Sequence, residues 1–237
     1  MNLISNQNRG YIGRALKDAA WAAWPICLGY FPIGLAFGVL AQKAGLHPFE
    51  IGMMSLFVFA GSSQFIAVSM LAAGAAPLAI ILTAFTVNLR HFLMSSALAL
   101  FMGRASKKRL ALFAYGVTDE SFAVNLFRFR QGGWDVRRAL IVNHIANLAW
   151  LASTLLGGYG GKLIPEHAFG IDYALNSMFI CLLVFQLRGK KYVITAVLSG
   201  GLAVLLALVF AGNSYIVPAS ILAATLVVCL DGKGFQL

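Results

Sequence analysis

The chain has 237 residues, 60% of them apolar and only 11% charged, with a mean hydropathy of +0.82. A water-soluble globular fold is excluded, because such domains carry about a quarter charged residues. The formal net charge of +10 does not point to nucleic acid: the basic residues stand in short clusters beside apolar runs, as in cytoplasmic loops of membrane proteins.

A helix needs roughly 20 apolar residues to cross the hydrocarbon core. Runs such as Leu202 to Phe210 are apolar at consecutive positions, which does not fit the alternating strands of an outer-membrane barrel. The expected fold is therefore an all-α integral membrane protein, a single transmembrane transporter domain over residues 1–237 embedded in a lipid bilayer. Its hydrophobic segments fall at about 21–43, 50–73, 77–102, 110–127, 138–160, 173–187, 191–211 and 215–230.

Segment one follows Arg9, Arg14 and Lys17. It is too long for the apolar core of a removed signal peptide and is read as a retained membrane helix. It carries Pro25, Gly29, Pro32, Gly34 and Gly38, so a bend is expected, and the small residues suit either a packing face or a flexible element. Segment two is interrupted at Gly61-Ser62-Ser63-Gln64, and segment four at Thr118-Asp119-Glu120-Ser121. Both are expected to be broken or re-entrant. Segment five ends in a glycine cluster before Lys162, but Leu163 stands where a phosphate loop needs Ser or Thr. Cys27, Cys181 and Cys229 are isolated in apolar runs and read as packing residues.

Basic residues by loop sharpen the topology. If segments two and four each enter and leave by one side, the cytoplasmic loops hold fifteen Lys and Arg and the outer loops two; eight simple crossings give eleven and six. The positive-inside rule favours the two hairpins, with both termini cytoplasmic. A shift of 56 places supports the same pair of segments. It makes Phe57/Phe113, Ala67/Ala123 and Val68/Val124 identical and matches Phe59/Tyr115, Ala60/Gly116, Ser62/Thr118 and Gln64/Glu120. With opposite orientations this is an inverted repeat, the device by which transporters build a midplane site.

Arg90 lies about 18 Å along segment three from either end, beyond the reach of a snorkelling side chain. An arginine there needs a counter-charge, and the acids well inside apolar segments are Asp119 and Glu120. Asn88 and His91 flank Arg90; Asn143, His144 and Asn147 punctuate segment five, the two asparagines on one helix face. The asparagines suit either helix glue or a ligand, the histidines either packing or a proton relay. A zwitterionic amino acid requires a cation or helix N-terminus for its carboxylate, a carboxylate for its ammonium, and an apolar pocket. Arg90 or the amides at Ser62 and Ser63, Asp119 or Glu120, and the many phenylalanines meet those requirements. The interrupted stretch ending at Gln64 completes the set of candidates. No metal, cofactor or enzyme motif is recognised, so transport is expected to run on an ion or substrate gradient.

The stretches Gly29 to Gly38, Ala60 to Phe65, Val87 to His91 and Thr118 to Phe122, in this order and spacing, resemble the AzlC family. That resemblance implies the large subunit of a two-component bacterial inner-membrane exporter of branched-chain amino acids, driven by proton coupling, with a small AzlD-type membrane subunit as partner. Competing readings from the residues are a channel for a small solute or ion, whose polar breaks line a pore, and an assembly subunit whose polar residues bind only its partner.

Overall fold

A computed structural model describes residues 2–103, 105–163, 189–208 and 216–231, with the single positions 173, 180, 183, 184 and 187. Among the described residues the fold is all-helical: α1 Asn2–Lys43, α2 Pro48–Phe57, α3 Gly61–Ala72, α4 Pro77–Ala99, α5 Lys107–Tyr115, α6 Asp119–Gln131, α7 Val136–Gly160, α8 Lys190–Ala207 and α9 Ile216–Asp231. A short 3-10 turn, Gly161–Leu163, follows α7. The stretches Tyr11–Lys43 within α1, Pro77–Ala99, Val136–Gly160 and Lys190–Ala207 are long and apolar enough to cross a membrane. The chain divides into two units, Met1–Ala174 and Leu175–Leu237. In the second, α8 packs on α9. Most of segment six and Cys181 lie outside the described residues.

In the first unit α1 and α7 form the axis. Arg138 meets Asp18 at 3.1 Å, and further along Gly34 faces Ser153 and Gly38 faces Thr154 and Gly158. Residue numbers rise together on both helices, so they run parallel. Tyr11 donates to Asp135, which also caps α7 by accepting from the Arg138 amide at 2.8 Å. Burial alone raises the Asp135 carboxyl, but the hydrogen bonds from Tyr11 and Arg138 outweigh it and hold it below its ordinary range.

Here one sequence expectation needs correction and one open choice is resolved. Segment one does not start at residue 21: α1 is one continuous helix from Asn2, with Pro25 and Pro32 inside it. Its glycines serve packing, because a Cβ on Gly38 would overlap the Thr154 carbonyl and stand 2.6 Å from the Gly158 nitrogen. Close backbone approach is how helices bind each other where lipid is as apolar as their side chains.

The short helices form two hairpins that point at each other. Ile51 lies beside Gly158, Ser55 accepts from Thr154 at 2.8 Å, and Trp150 donates to Gln64 at 3.0 Å, so α2 descends along α7 from its C-terminal end. After the break, α3 climbs back: Phe59 contacts Tyr30, whereas Phe65 contacts Phe37, two turns further along α1. From the other end, α5 rises as Asn143 donates to the Phe113 carbonyl and Asn147 to Tyr115 Oη, at 3.1 and 3.3 Å. Then α6 returns, with Asn125 donating to Asn143 at 3.0 Å before the turn into α7. Between the hairpins runs α4, whose Leu98 packs with Phe113, Val117 and Ala139 near the N-terminal end of α7.

The pair of hairpins carries the inverted repeat. Adding 56 to the bounds of α2, α3 and α4 lands within about five residues of α5, α6 and α7, and repeat-related Phe59 and Tyr115 meet with ring centroids 6.3 Å apart. The break in segment two is not at Gly61–Gln64, which open α3, but at Val58–Ala60, where Phe59 takes φ +41°. Such a conformation is costly for an aromatic residue, and burial of Phe59 between Tyr30 and Tyr115 holds it. The second break is Gly116–Thr118, closed by a reciprocal cap between Thr118 and Ser121.

This topology predicts labelling. In a chain with its native cysteines replaced, single cysteines at Lys107 and Gly132 are expected to react with an impermeant maleimide from the same side as one at Arg14. Reaction of Lys107 and Gly132 cysteines from opposite sides contradicts the α5/α6 hairpin.

Candidate functional site

The two hairpin tips meet against α4. Arg90 Nη2 donates to Ser62 Oγ in the first turn of α3 and forms an ion pair with Asp119 Oδ2, the first residue of α6, at 3.1 Å. One guanidinium thus joins the N-termini of both re-entrant exit helices. Each helix start supplies amides without intrahelical acceptors and the positive end of a helix dipole. The Arg90 Nε is buried without a hydrogen-bond partner, and so is Asn88 Oδ1. The guanidinium therefore keeps a spare donor beside the one it shares with Asp119 and Ser62, and its side chain and that of Asp119 remain about one-third exposed.

Glu120 does not pair with Arg90. Its Oε2 and the Thr118 Oγ1 both lie 2.7 Å from the Tyr30 hydroxyl, which ties α1 to the tip of the second hairpin. Tyr30 packs edge-on against Trp150 and Phe59, with centroids at 5.3 and 6.4 Å, and Trp150 stacks on Phe37. The cluster accordingly has a charged side, Arg90, Asp119 and Glu120, and an aromatic side.

Other sequence candidates occupy different places. Gln64 is fully buried, accepting from Trp150 and the Ala60 amide and donating to Ser55, and Ser63 donates to the Ala60 carbonyl. Both brace the first tip. Asn143 is buried in a chain running from Trp134 through Asn125 to the Phe113 carbonyl, and Asn147 reaches Tyr115. These asparagines pin the second hairpin to α7. His144 is exposed and bonds its own helix at the Leu140 carbonyl; His91 is half-buried beside Arg90 on α4.

Tyr30 and Trp150 are not among the sequence candidates, and Thr118 enters there only through the interruption of segment four and the repeat. Tyr30 stood among the prolines and glycines of segment one, and its polar role depends on contact with residues 88 and 90 places away. For Thr118 the signal is a threonine directly before two acids, the pattern of a helix N-cap.

The AzlC protein family model matches residues 25–164, the stretch that contains every residue of this cluster. The branched-chain amino acid transport protein AzlC of Bacillus subtilis is 30% identical over 216 residues, covering 89% of this chain and 83% of that protein. The inner membrane protein YgaZ of Escherichia coli is 28% identical, covering 87% and 84%. An uncharacterized membrane protein of Archaeoglobus fulgidus is 30% identical, covering 76% and 78%. No solved structure matches.

Proposed function

We propose, since this chain belongs to the AzlC family, that it is a secondary exporter of branched-chain amino acids (valine, leucine, isoleucine and related) across the bacterial inner membrane. In this reading it is proton-coupled and works with a small AzlD-type membrane subunit. The observation that carries the reading is Arg90 held between two helix N-termini and Asp119 at the meeting point of two opposed hairpins.

An α-amino acid brings one carboxylate and one ammonium, and the site holds the same pair of charges against each other. The substrate carboxylate takes the guanidinium, using the spare Nε donor and the α3 amides. Asp119, released from Arg90, and Glu120 face the ammonium. The aliphatic side chain lies on the aromatic side of the cluster. Glu120, hydrogen-bonded through Tyr30, is the group assigned to carry the coupled proton. With the positive-inside rule, the end bearing Lys107, Arg128 and Arg138 is cytoplasmic and so are both termini.

The test is valine export. Cells fed a valine-containing dipeptide and expressing the chain with its small partner are expected to hold several-fold less intracellular valine than cells lacking both. Equal valine in the two strains contradicts the substrate assignment; a non-saturable leak of unrelated solutes favours the channel instead.

A further inference from the structure

Two cavities share a wall far from the central cluster. One, of about 390 Å³, is lined by Lys17, Asp18 and Trp21 of α1 together with Arg128, Trp134 and Arg138, and opens over the Gly132–Gly133 turn. Both glycines have positive φ and nothing within 4 Å of a would-be Cβ, so that side of the cavity carries no side chain. The second is an open apolar groove on the surface of α1, lined by Ala20, Trp21 and Trp24. Trp21 belongs to both, and from Lys17 to Trp24 the α1 helix runs from the charged cavity into the apolar one.

Depth is set by the helices. Trp21 precedes Tyr30 by nine residues and Arg138 precedes Trp150 by twelve, which at 1.5 Å per residue is about 14 and 18 Å from the central cluster. Half the hydrocarbon thickness is about 15 Å; with the central cluster at the midplane, as the transport reading has it, the charged cavity falls at the headgroup boundary and the apolar one below it. Trp21 and Trp24 are 70% and 56% exposed there, as aromatic belts are.

The charge of Arg138 is answered by Asp18 and Asp135, at 3.1 and 2.6 Å. Among the described residues, Lys17 and Arg128 form no ion pair; the Arg128 guanidinium stands over the Trp134 ring at 5.6 Å. Two cations are therefore open to an anion in a cavity with room for a phosphate, beside an apolar groove leading toward the membrane interior.

We propose that this pair of cavities is a binding site for an anionic phospholipid: the headgroup phosphate lies between Lys17 and Arg128, and one acyl chain follows Trp21 and Trp24. A soluble phosphate shares the headgroup chemistry but leaves the apolar groove empty. Three of the four tryptophans of the chain, Trp21, Trp24 and Trp134, line the site, so brominated lipids report on it by quenching.

The experiment compares quenching of the full chain in bilayers by brominated phosphatidylglycerol and brominated phosphatidylcholine. A preference for phosphatidylglycerol of about twenty-five-fold is expected from two unpaired cations at roughly five-fold each. It is expected to vanish in Lys17→Gln/Arg128→Gln and to persist in Lys107→Gln/Lys108→Gln, which removes the same charge elsewhere on the basic end. Equal loss in both double variants, or persistence in the first, overturns the site. Abolition of the preference by millimolar inorganic phosphate assigns the cations to a soluble anion and overturns the lipid.

Discussion

Replacing Arg90 by alanine is expected to abolish valine export while the protein remains in the membrane. The guanidinium touches both exit helices, donating to Ser62 and pairing with Asp119. A charge-assisted hydrogen bond is worth roughly 1.5–3 kcal/mol, so a substrate carboxylate without it binds about ten- to a hundred-fold more weakly. Loss of the cation also leaves Asp119 without its partner, which costs stability in proportion to how dry the pair is. The double variant Arg90→Ala/Asp119→Ala removes that uncompensated charge and is expected to restore abundance without restoring export. Arg90→Lys keeps the charge but not the planar fork, and is expected to raise the half-saturating valine concentration more than it lowers the maximal rate. Full export by Arg90→Ala at matched abundance contradicts a role for the pair in substrate binding.

The second large effect is expected at the α1–α7 seam, and it is read by comparing two alanines on one helix. A Cβ on Gly38 meets backbone of Thr154, Gly157 and Gly158, whereas a Cβ on Gly29 meets nothing within 4 Å. Glycine to alanine inside a helix is favourable by roughly 0.5–1 kcal/mol where there is room. Gly29→Ala is therefore expected to hold or raise the melting temperature. Gly38→Ala forces the helices apart and is expected to cost about 1–3 kcal/mol, with Gly38→Leu and Gly157→Leu failing to accumulate as folded protein. Thermal unfolding of the detergent-solubilised chain checks both. Equal melting temperatures for the two alanine variants contradict a tight seam.

These expectations rest on features that were unequally legible in the sequence. The two hairpins could be read from where lysine and arginine fall, because membrane insertion constrains loop charge, and the need of Arg90 for an acid followed from the cost of an unpaired cation in lipid. Which acid it takes did not follow. Asp119 and Glu120 are adjacent, and only the direction in which α6 leaves the second break sends Asp119 to Arg90 and Glu120 to Tyr30. The first break was misplaced by a few residues because Phe59, not a glycine or proline, carries the positive φ, and tertiary packing rather than local preference keeps it there. Gly34 and Gly38 admitted both a hinge and a seam, since their meaning depends on Ser153, Thr154 and Gly157 more than 110 places away. Asn143 and Asn147 do share a face of α7, yet their partners, the Phe113 carbonyl and Tyr115, lie on a helix that periodicity alone cannot orient.

The opposed hairpins explain how so small a unit can bring two helix N-termini and three charged side chains together. Each hairpin brings a helix N-terminus to the junction, and the breaks themselves are largely covered, with Phe59, Ala60, Val117 and Thr118 buried, so little of their unpaired backbone is left open. The polar bracing around them, Gln64 with Trp150 on one tip and Asn125 with Asn143 on the other, fixes the backbone. Arg90, Asp119 and Glu120 are left as the charged groups at the junction.

Valine counterflow tests the central claim most directly. The purified chain and the AzlD-type subunit proposed as its partner are reconstituted into liposomes loaded with unlabelled valine, and uptake of tracer valine is followed. Transient, saturable accumulation that leucine and isoleucine suppress, that isobutylamine (valine without its carboxylate) leaves untouched, and that is absent with Arg90→Ala is the predicted result. Tracer entry that is non-saturable, or that proceeds equally with Arg90→Ala, contradicts an exporter built on this site.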